Sequence, residues 1–208
     1  MYKNKSILIT GGTGSLGKAL TKEIFKSYKD IGKLIVFSRD EQKHFQMRQD
    51  FPEEKFPNLE FFIGDIRDQE SVKGACKGVD YIIHAAAMKH VHLSEKNPEE
   101  CIKTNIGGAQ NVIKAAFENN VKKVVALSTD KACAPVNLYG ATKLTSDKLF
   151  VAASKNMNTD IKFSVVRYGN VMSSNGSVIP FFKRKAHTGI LPVTNPKMTR
   201  FNITLSSA

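Results

Sequence analysis

Close to the N-terminus the apolar run Ile7-Leu8-Ile9 feeds directly into Gly11-Gly12-Thr13-Gly14-Ser15-Leu16-Gly17. Beyond it, Leu16, Leu20 and Ile24 recur at helical spacing. A strand that enters a helix through so tight a turn opens a parallel sheet with crossover helices. Gly11, Gly14 and Gly17 form a G-x-x-G-x-x-G pattern. Glycines allow the sharp turn and let the backbone approach a diphosphate at the helix N-terminus. A ligand-free glycine-rich turn has the same composition. Its place at the first strand–turn–helix junction favours a dinucleotide. Gly11, Thr13, Gly14, Ser15, Leu16 and Gly17 are therefore expected cofactor contacts.

The same rhythm continues. Leu34-Ile35-Val36-Phe37, Leu59-Glu60-Phe61-Phe62-Ile63, Tyr81-Ile82-Ile83, Val124-Val125-Ala126-Leu127 and Phe163-Ser164-Val165-Val166 read as further strands. Helical patterns separate them, one marked by Val112 and Ala116. The expected fold is α/β: a doubly wound parallel sheet covered on both faces. From about Gly169 the pattern breaks into Gly, Ser, Asn and Pro. This places a cofactor-binding domain over residues 1–170 and the start of a smaller region over 171–208. The chain stops at Ser206-Ser207-Ala208, soon after the apolar start Phe201-Asn202-Ile203-Thr204-Leu205, and reads as a fragment.

Composition limits the classes. No apolar run approaches the roughly 20 residues that cross a bilayer, so no membrane is expected. The N-terminus runs straight into a strand and reads as lacking a signal peptide. Cys76, Cys101 and Cys133 are odd in number and lack metal spacing, which points to a reducing, cytoplasmic setting and no metal. Cys133 reads as a small buried filler. The net charge of +12 can attract anionic ligands. Its lysines, among them Lys3, Lys5, Lys22, Lys26, Lys29, Lys122 and Lys123, form no stripe interleaved with aromatics. They read as a solvated basic surface, and nucleic acid is not an expected partner.

The end of the second strand selects the cofactor. An acidic side chain there suits the ribose 2′-hydroxyl of NAD, and an Arg suits the 2′-phosphate of NADP. Ser38 takes the acidic position, with Arg39 beside it and Lys43 one turn on. NADP is therefore expected; a surface pairing of Arg39 with Asp40 or Glu41 is the alternative. Asp65, with Ile66, follows the third strand and can reach an adenine amino group. Ala85, in His84-Ala85-Ala86-Ala87, leaves room for a cofactor across the strand ends.

Two motifs carry chemistry. Tyr139 and Lys143 stand four residues apart on one helical face, where the ammonium can lower the phenol below its usual value of about 10. Ser128-Thr129-Asp130-Lys131 ends the fifth strand, the edge where open α/β sheets bind ligands. Asp130 as a mere helix cap, or Lys131 as a solvated loop lysine, is the plainer alternative.

Together with the glycine pattern these residues resemble the extended short-chain dehydrogenase/reductase superfamily, a Rossmann-fold group. Ser128-Thr129-Asp130-Lys131-Ala132, Asn137-Leu138-Tyr139-Gly140-Ala141-Thr142-Lys143, His84-Ala85-Ala86-Ala87-Met88-Lys89-His90-Val91 and Met198-Thr199-Arg200-Phe201 resemble its inverting UDP-N-acetylglucosamine 4,6-dehydratases, which open pseudaminic acid synthesis for bacterial surface glycans. The resemblance implies that Tyr139, assisted by Lys143, takes the C4 hydroxyl proton while hydride passes to NADP. Lys131, its pKa lowered by Lys89 and Lys143, would then remove the C5 proton. Asp130 would protonate the departing C6 hydroxyl. Hydride would return to C6, and C5 would be reprotonated from the other face. Thr129 would hydrogen-bond the C4 oxygen.

For the UDP-sugar, the resemblance implies Lys89, Asn170, Asn175, Gly176, Ser177, Val178, Ile179 and Arg200, with Val171 on the cofactor and Asn105 as support from behind. It also implies a homo-oligomer and family members that run on past this chain's end. Three departures stand out: Asn175 where the family carries Arg, Ala134 where it carries Asn, and Asn202 where it carries Trp. A UDP-sugar 4-epimerase needs only the C4 steps and would carry small residues at Asp130 and Lys131. A non-catalytic NADP-binding fragment is the other alternative.

Overall fold

The computed structural model describes residues 2–155, 160–172, 174, 177–193, 195–205 and 207. Asn175 and Gly176 lie outside the described residues. Six parallel strands form one sheet: β1 (Ser6–Thr10), β2 (Lys33–Ser38), β3 (Leu59–Ile63), β4 (Tyr81–His84), β5 (Lys123–Leu127) and β6 (Lys162–Val166). Their order is β3-β2-β1-β4-β5-β6. The direction of winding reverses between β1 and β4. There the crossovers diverge and leave a crevice at the strand C-termini.

Each face carries its own core. On one, Ile24 of α1 (Ser15–Ser27) and Met47 of α2 (Glu41–Asp50) pack on Ile7, Ile9, Leu34 and Val36. On the other, α3 (Gln69–Ala75), α6 (Gly108–Glu118) and α7 (Leu138–Ala153) bring Val72, Val112, Ala116 and Phe150 onto Leu8, Ile82, Val124 and Phe163. All six runs picked out by apolarity are strands, and the sheet is doubly wound. Its cover is uneven, however. β1 and β2 are buried on both faces, whereas β5 and β6 alternate: Val124, Ala126 and Phe163 are buried, and Ser164 and Val166 are exposed.

Two short helices, α4 (Val91–Lys96) and α5 (Pro98–Ile102), lead through a π-helical turn at Lys103–Gly107 into α6. Past β6, β7 (Asn170–Val171) pairs in parallel with β8 (Asn202–Ile203), and α8 (Val178–Lys185) lies between them in sequence. Among the described residues no helix is long and apolar enough to cross a membrane.

Candidate active site

The glycine turn is shaped by close approach. Gly11 has φ of +66°, and a Cβ on it would stand 2.8 Å from the Ala86 backbone. A Cβ on Gly17 would stand 2.1 Å from the Gly12 carbonyl oxygen. The turn therefore lies flat between the ends of β1 and β4, with Ala85 bonded to it through its N–H on Thr10 O at 3.1 Å. Gly14 precedes α1 and offers no capping side chain, so the helix start faces the crevice with its own N–H groups. This flat turn with its bare helix start leaves room for the diphosphate of a dinucleotide.

At the end of β2, Thr13 Oγ1 and Ser38 Oγ are 3.0 Å apart. The basic side chains expected beside them already have partners. Lys43 Nζ is 2.6 Å from Asp40, which also caps α2 by accepting from Lys43 N–H. Arg39 approaches Asp65 at 3.9 Å, not Asp40 or Glu41. Asp65 is held below the usual carboxylate range chiefly by its hydrogen bonds from Arg67, so an adenine contact there would be shared with that guanidinium.

The triplet lies where β5 runs past the end of its pairing with β6. Ser128 N–H donates to Val166 O at 2.7 Å and Asp130 N–H to Tyr168 O at 3.1 Å. Thr129, not Asp130, caps the short helical turn Asp130–Ala132. Asn137 caps α7 by accepting from Gly140 N–H at 2.8 Å. Gly140 admits the helix to the triplet, because a Cβ there would stand 2.2 Å from Lys131 O.

These placements join three of the expected catalytic residues, Thr129, Asp130 and Lys131, into one hydrogen-bonded chain. Thr129 lies close enough to the Tyr139 phenol to act on its proton affinity. Thr129 Oγ1 donates to Asp130 Oδ1 at 2.9 Å. Lys131 Nζ donates to that same oxygen at 3.0 Å and to Asn170 Oδ1 at 2.9 Å. Asn105, 1% exposed, braces the rear: it accepts from Met88 N–H at 2.8 Å and donates to Thr142 Oγ1 at 3.0 Å. It thereby ties the segment bearing Lys89 to the helix bearing Lys143.

The electrostatics differ from two expectations. Burial pushes the Tyr139 phenol up to about 12, above its usual value instead of below it, and Thr129 beside it only partly opposes the rise. Burial instead lowers Lys143 itself to about 8, with Asp147 one turn on pulling the other way. Burial alone would raise Asp130, but hydrogen bonds from Lys131 and Thr129 outweigh it and hold the carboxyl below its usual range. Lys131 meets an acid and an amide, not the expected cations Lys89 and Lys143.

Of the expected sugar contacts, Lys89 is lowered by burial and Asn170 joins the chain just described. Ser177 precedes α8 with a buried hydroxyl that has no partner among the described residues. Val178 is exposed, and Ile179 and Val171 are half-buried. Arg200 donates to Thr199 O and to Met198 S, its own neighbours. Cys133 is exposed, not buried, because the turn after Ala132 carries it outward.

Two participants escaped sequence reasoning. His44 is buried behind Ser38, and Asp147 accepts from Arg167 Nε at 2.8 Å beneath Lys143. The spacing His44-Met47-Phe51 marks the inner face of α2 and was the available signal for the first.

The profile of the family described as polysaccharide biosynthesis protein matches residues 7–208. The chain is similar to a UDP-N-acetylglucosamine 4,6-dehydratase (inverting) of Campylobacter jejuni subsp. jejuni. Identity is 59% over 208 residues, 99% of this chain and 61% of that protein. It is also similar to a UDP-glucose 4-epimerase of Rickettsia canadensis, at 47% identity over 99% of this chain and 60% of that one. The X-ray structure of Pen from Bacillus thuringiensis matches with a TM-score of 0.94 and 42% identity, covering 99% of this chain and 65% of that chain. The dTDP-glucose 4,6-dehydratase DesIV of Streptomyces venezuelae, solved as a double mutant with NAD and DAU bound, matches with a TM-score of 0.82 and 25% identity, covering 96% and 68%. The chain spans about 61% of the length of the curated dehydratase relative.

Proposed function

This chain belongs to the polysaccharide biosynthesis protein family, and from that premise we propose that it serves the NADP-dependent dehydration of UDP-N-acetylglucosamine to a 6-deoxy-4-keto sugar with inversion at C5. The observation that carries the reading is the hydrogen-bonded chain Thr129–Asp130–Lys131–Asn170 beyond the end of β5, beside Tyr139. A hydride-transfer site needs the tyrosine alone. An acid and an amine held next to it add the means to expel water. The similarity to the Campylobacter dehydratase supports the same substrate.

The glycine turn, Ser38 and Ala85 would hold the cofactor, which supplies a hydride acceptor and returns the hydride. The chain's residues manage the protons. Tyr139 stands ready as a neutral phenol beside Thr129. Asp130 and Lys131 form a carboxylate–ammonium pair at 3.0 Å in the free site. One proton moving from Nζ to Oδ1 turns the pair into a neutral acid and a neutral amine without changing its total charge. A sugar that excludes water favours that neutral pair, because desolvation penalises both charges. The transfer yields the acid for the C6 hydroxyl and the base for C5 together. Lys89, Asn170 and Ser177 would face the sugar nucleotide, and a homo-oligomer and a place in pseudaminic acid synthesis complete the reading.

A UDP-sugar 4-epimerase is the second reading, favoured by the similarity to the rickettsial epimerase. Proton NMR of a reaction with UDP-N-acetylglucosamine separates the two. The dehydratase yields a C6 methyl doublet, the epimerase a galacto product that keeps its C6 hydroxyl. NADP preference is tested by titration: equal dissociation constants for NADP and NAD would reject it.

A further inference from the structure

His44 sits on the inner face of α2, 5% exposed, with its ring edge-on to Phe61 at 5.3 Å. Its Nε2 lies 2.8 Å from Ser38 Oγ and 3.1 Å from Ser38 O. A carbonyl oxygen only accepts, so the contact with Ser38 O requires the proton on Nε2. The other nitrogen, Nδ1, is buried with no partner among the described residues, and a proton there would be left without an acceptor. Both observations select the same neutral tautomer. Burial also keeps the ring neutral by lowering its pKa.

With Nε2–H shared between the two Ser38 oxygens, the Ser38 hydroxyl accepts from the ring and can give its own proton on the other side. Its next neighbour is Thr13 Oγ1 at 3.0 Å, in the glycine turn. Hydrogen bonds then run one way, from His44 to Ser38 to Thr13, and out of the protein into the crevice. Polarised chains of this kind strengthen the last donor. The side chains that would otherwise attract a phosphate, Arg39 and Lys43, already face Asp65 and Asp40.

We propose that His44 is a positioning residue for the cofactor, committing the Ser38 hydroxyl to Thr13 and leaving the Thr13 hydroxyl as the donor to the anionic group on the adenosine ribose. It thereby contributes to the preference for a 2′-phosphorylated dinucleotide. This rests on the NADP reading above. His44 touches neither the cofactor nor the sugar; it acts through Ser38.

The test compares dissociation constants of NADP and NAD by calorimetric titration of the purified protein and two variants. His44→Phe keeps a ring against Phe61 but has no donor; His44→Gln keeps a donor. The expected result is at least a fivefold rise in the NADP constant for His44→Phe, a change below twofold for NAD, and partial recovery in His44→Gln. In the unaltered protein, 15N NMR should place the His44 proton on Nε2. A merely structural histidine would move both constants together, and that result overturns the proposal, as does an unchanged ratio or a proton on Nδ1. A His44→Phe chain that fails to fold leaves the spectrum and His44→Gln to decide. Equal binding of NADP and NAD by the unaltered protein rejects the NADP reading and this proposal with it. Preference for NADP that survives in His44→Phe rejects the proposal alone.

Discussion

Tyr139 and Lys143 stand one helical turn apart, and burial moves their proton affinities in opposite directions, up to about 12 and down to about 8. Their spacing was legible in the sequence; burial, a property of the folded chain, was not. Asp130 and Lys131 were legible for the same reason as the tyrosine: chemistry-bearing types at the end of an apolar run. Lys131→Ala and Asp130→Asn should each cut dehydration by about 10²-fold or more while leaving cofactor binding within twofold, measured by product formation and titration. Cys133 was misread because Ala132-Cys133-Ala134 looks apolar, whereas Ala134 adopts φ of +48° and turns the segment out. A left-handed conformation costs an L-residue with a Cβ about 1 kcal/mol, and asparagine tolerates it better. Ala134→Asn should raise unfolding free energy by about 0.5–1 kcal/mol in urea denaturation.

Among the elements, the strands and the glycine turn were the most legible, since apolar runs and turn glycines report local geometry directly. Helix α2 was the least. Its sequence, Glu-Gln-Lys-His-Phe-Gln-Met, turns Phe45 outward at 59% exposure and His44 inward, the reverse of what hydrophobicity suggests. The hydrogen bonds to Ser38 settle that choice. Two glycines test how closely elements must approach. Replacing a helical glycine by alanine ordinarily stabilises by about 1 kcal/mol. At Gly17 and Gly140 a Cβ would stand 2.1 and 2.2 Å from a backbone oxygen, so the clash should outweigh that gain. Gly17→Ala should weaken cofactor binding at least tenfold. Gly140→Ala should spare the cofactor and lose dehydration, because it displaces the carbonyl of Lys131. Titration and product assay on both variants check the division.

At the scale of the molecule, the sheet's switch point is held by a buried polar pair, Thr10 Oγ1 and His84 Nδ1 at 2.8 Å, across adjacent residues of β1 and β4. Burial, with a smaller push from Lys143, lowers His84 to about 3. The unfolded chain, with an ordinary histidine near 6.5, binds a proton between those values while the folded chain does not. Stability from this group is therefore full above pH 6.5 and falls as pH drops toward 3, by about 1.4 kcal/mol per unit. Urea denaturation at pH 6.5 and pH 5 should differ by about 2 kcal/mol more for the unaltered protein than for His84→Gln. The fold class was legible in the alternation of strand and helix. The one-sided cover of β5 and β6 was not, because their apolar residues look alike whichever face they take.

The central claim, that the acid–amine pair beside Tyr139 expels water and inverts C5, is tested most directly by turnover in D2O. The purified protein is incubated with UDP-N-acetylglucosamine and NADP, and the product is followed by NMR. The expected product is a 6-deoxy-4-keto sugar carrying deuterium at C5, with the C5 configuration reversed, and none of it from Lys131→Ala. A 4-epimer that keeps its C6 hydroxyl and C5 hydrogen would contradict it.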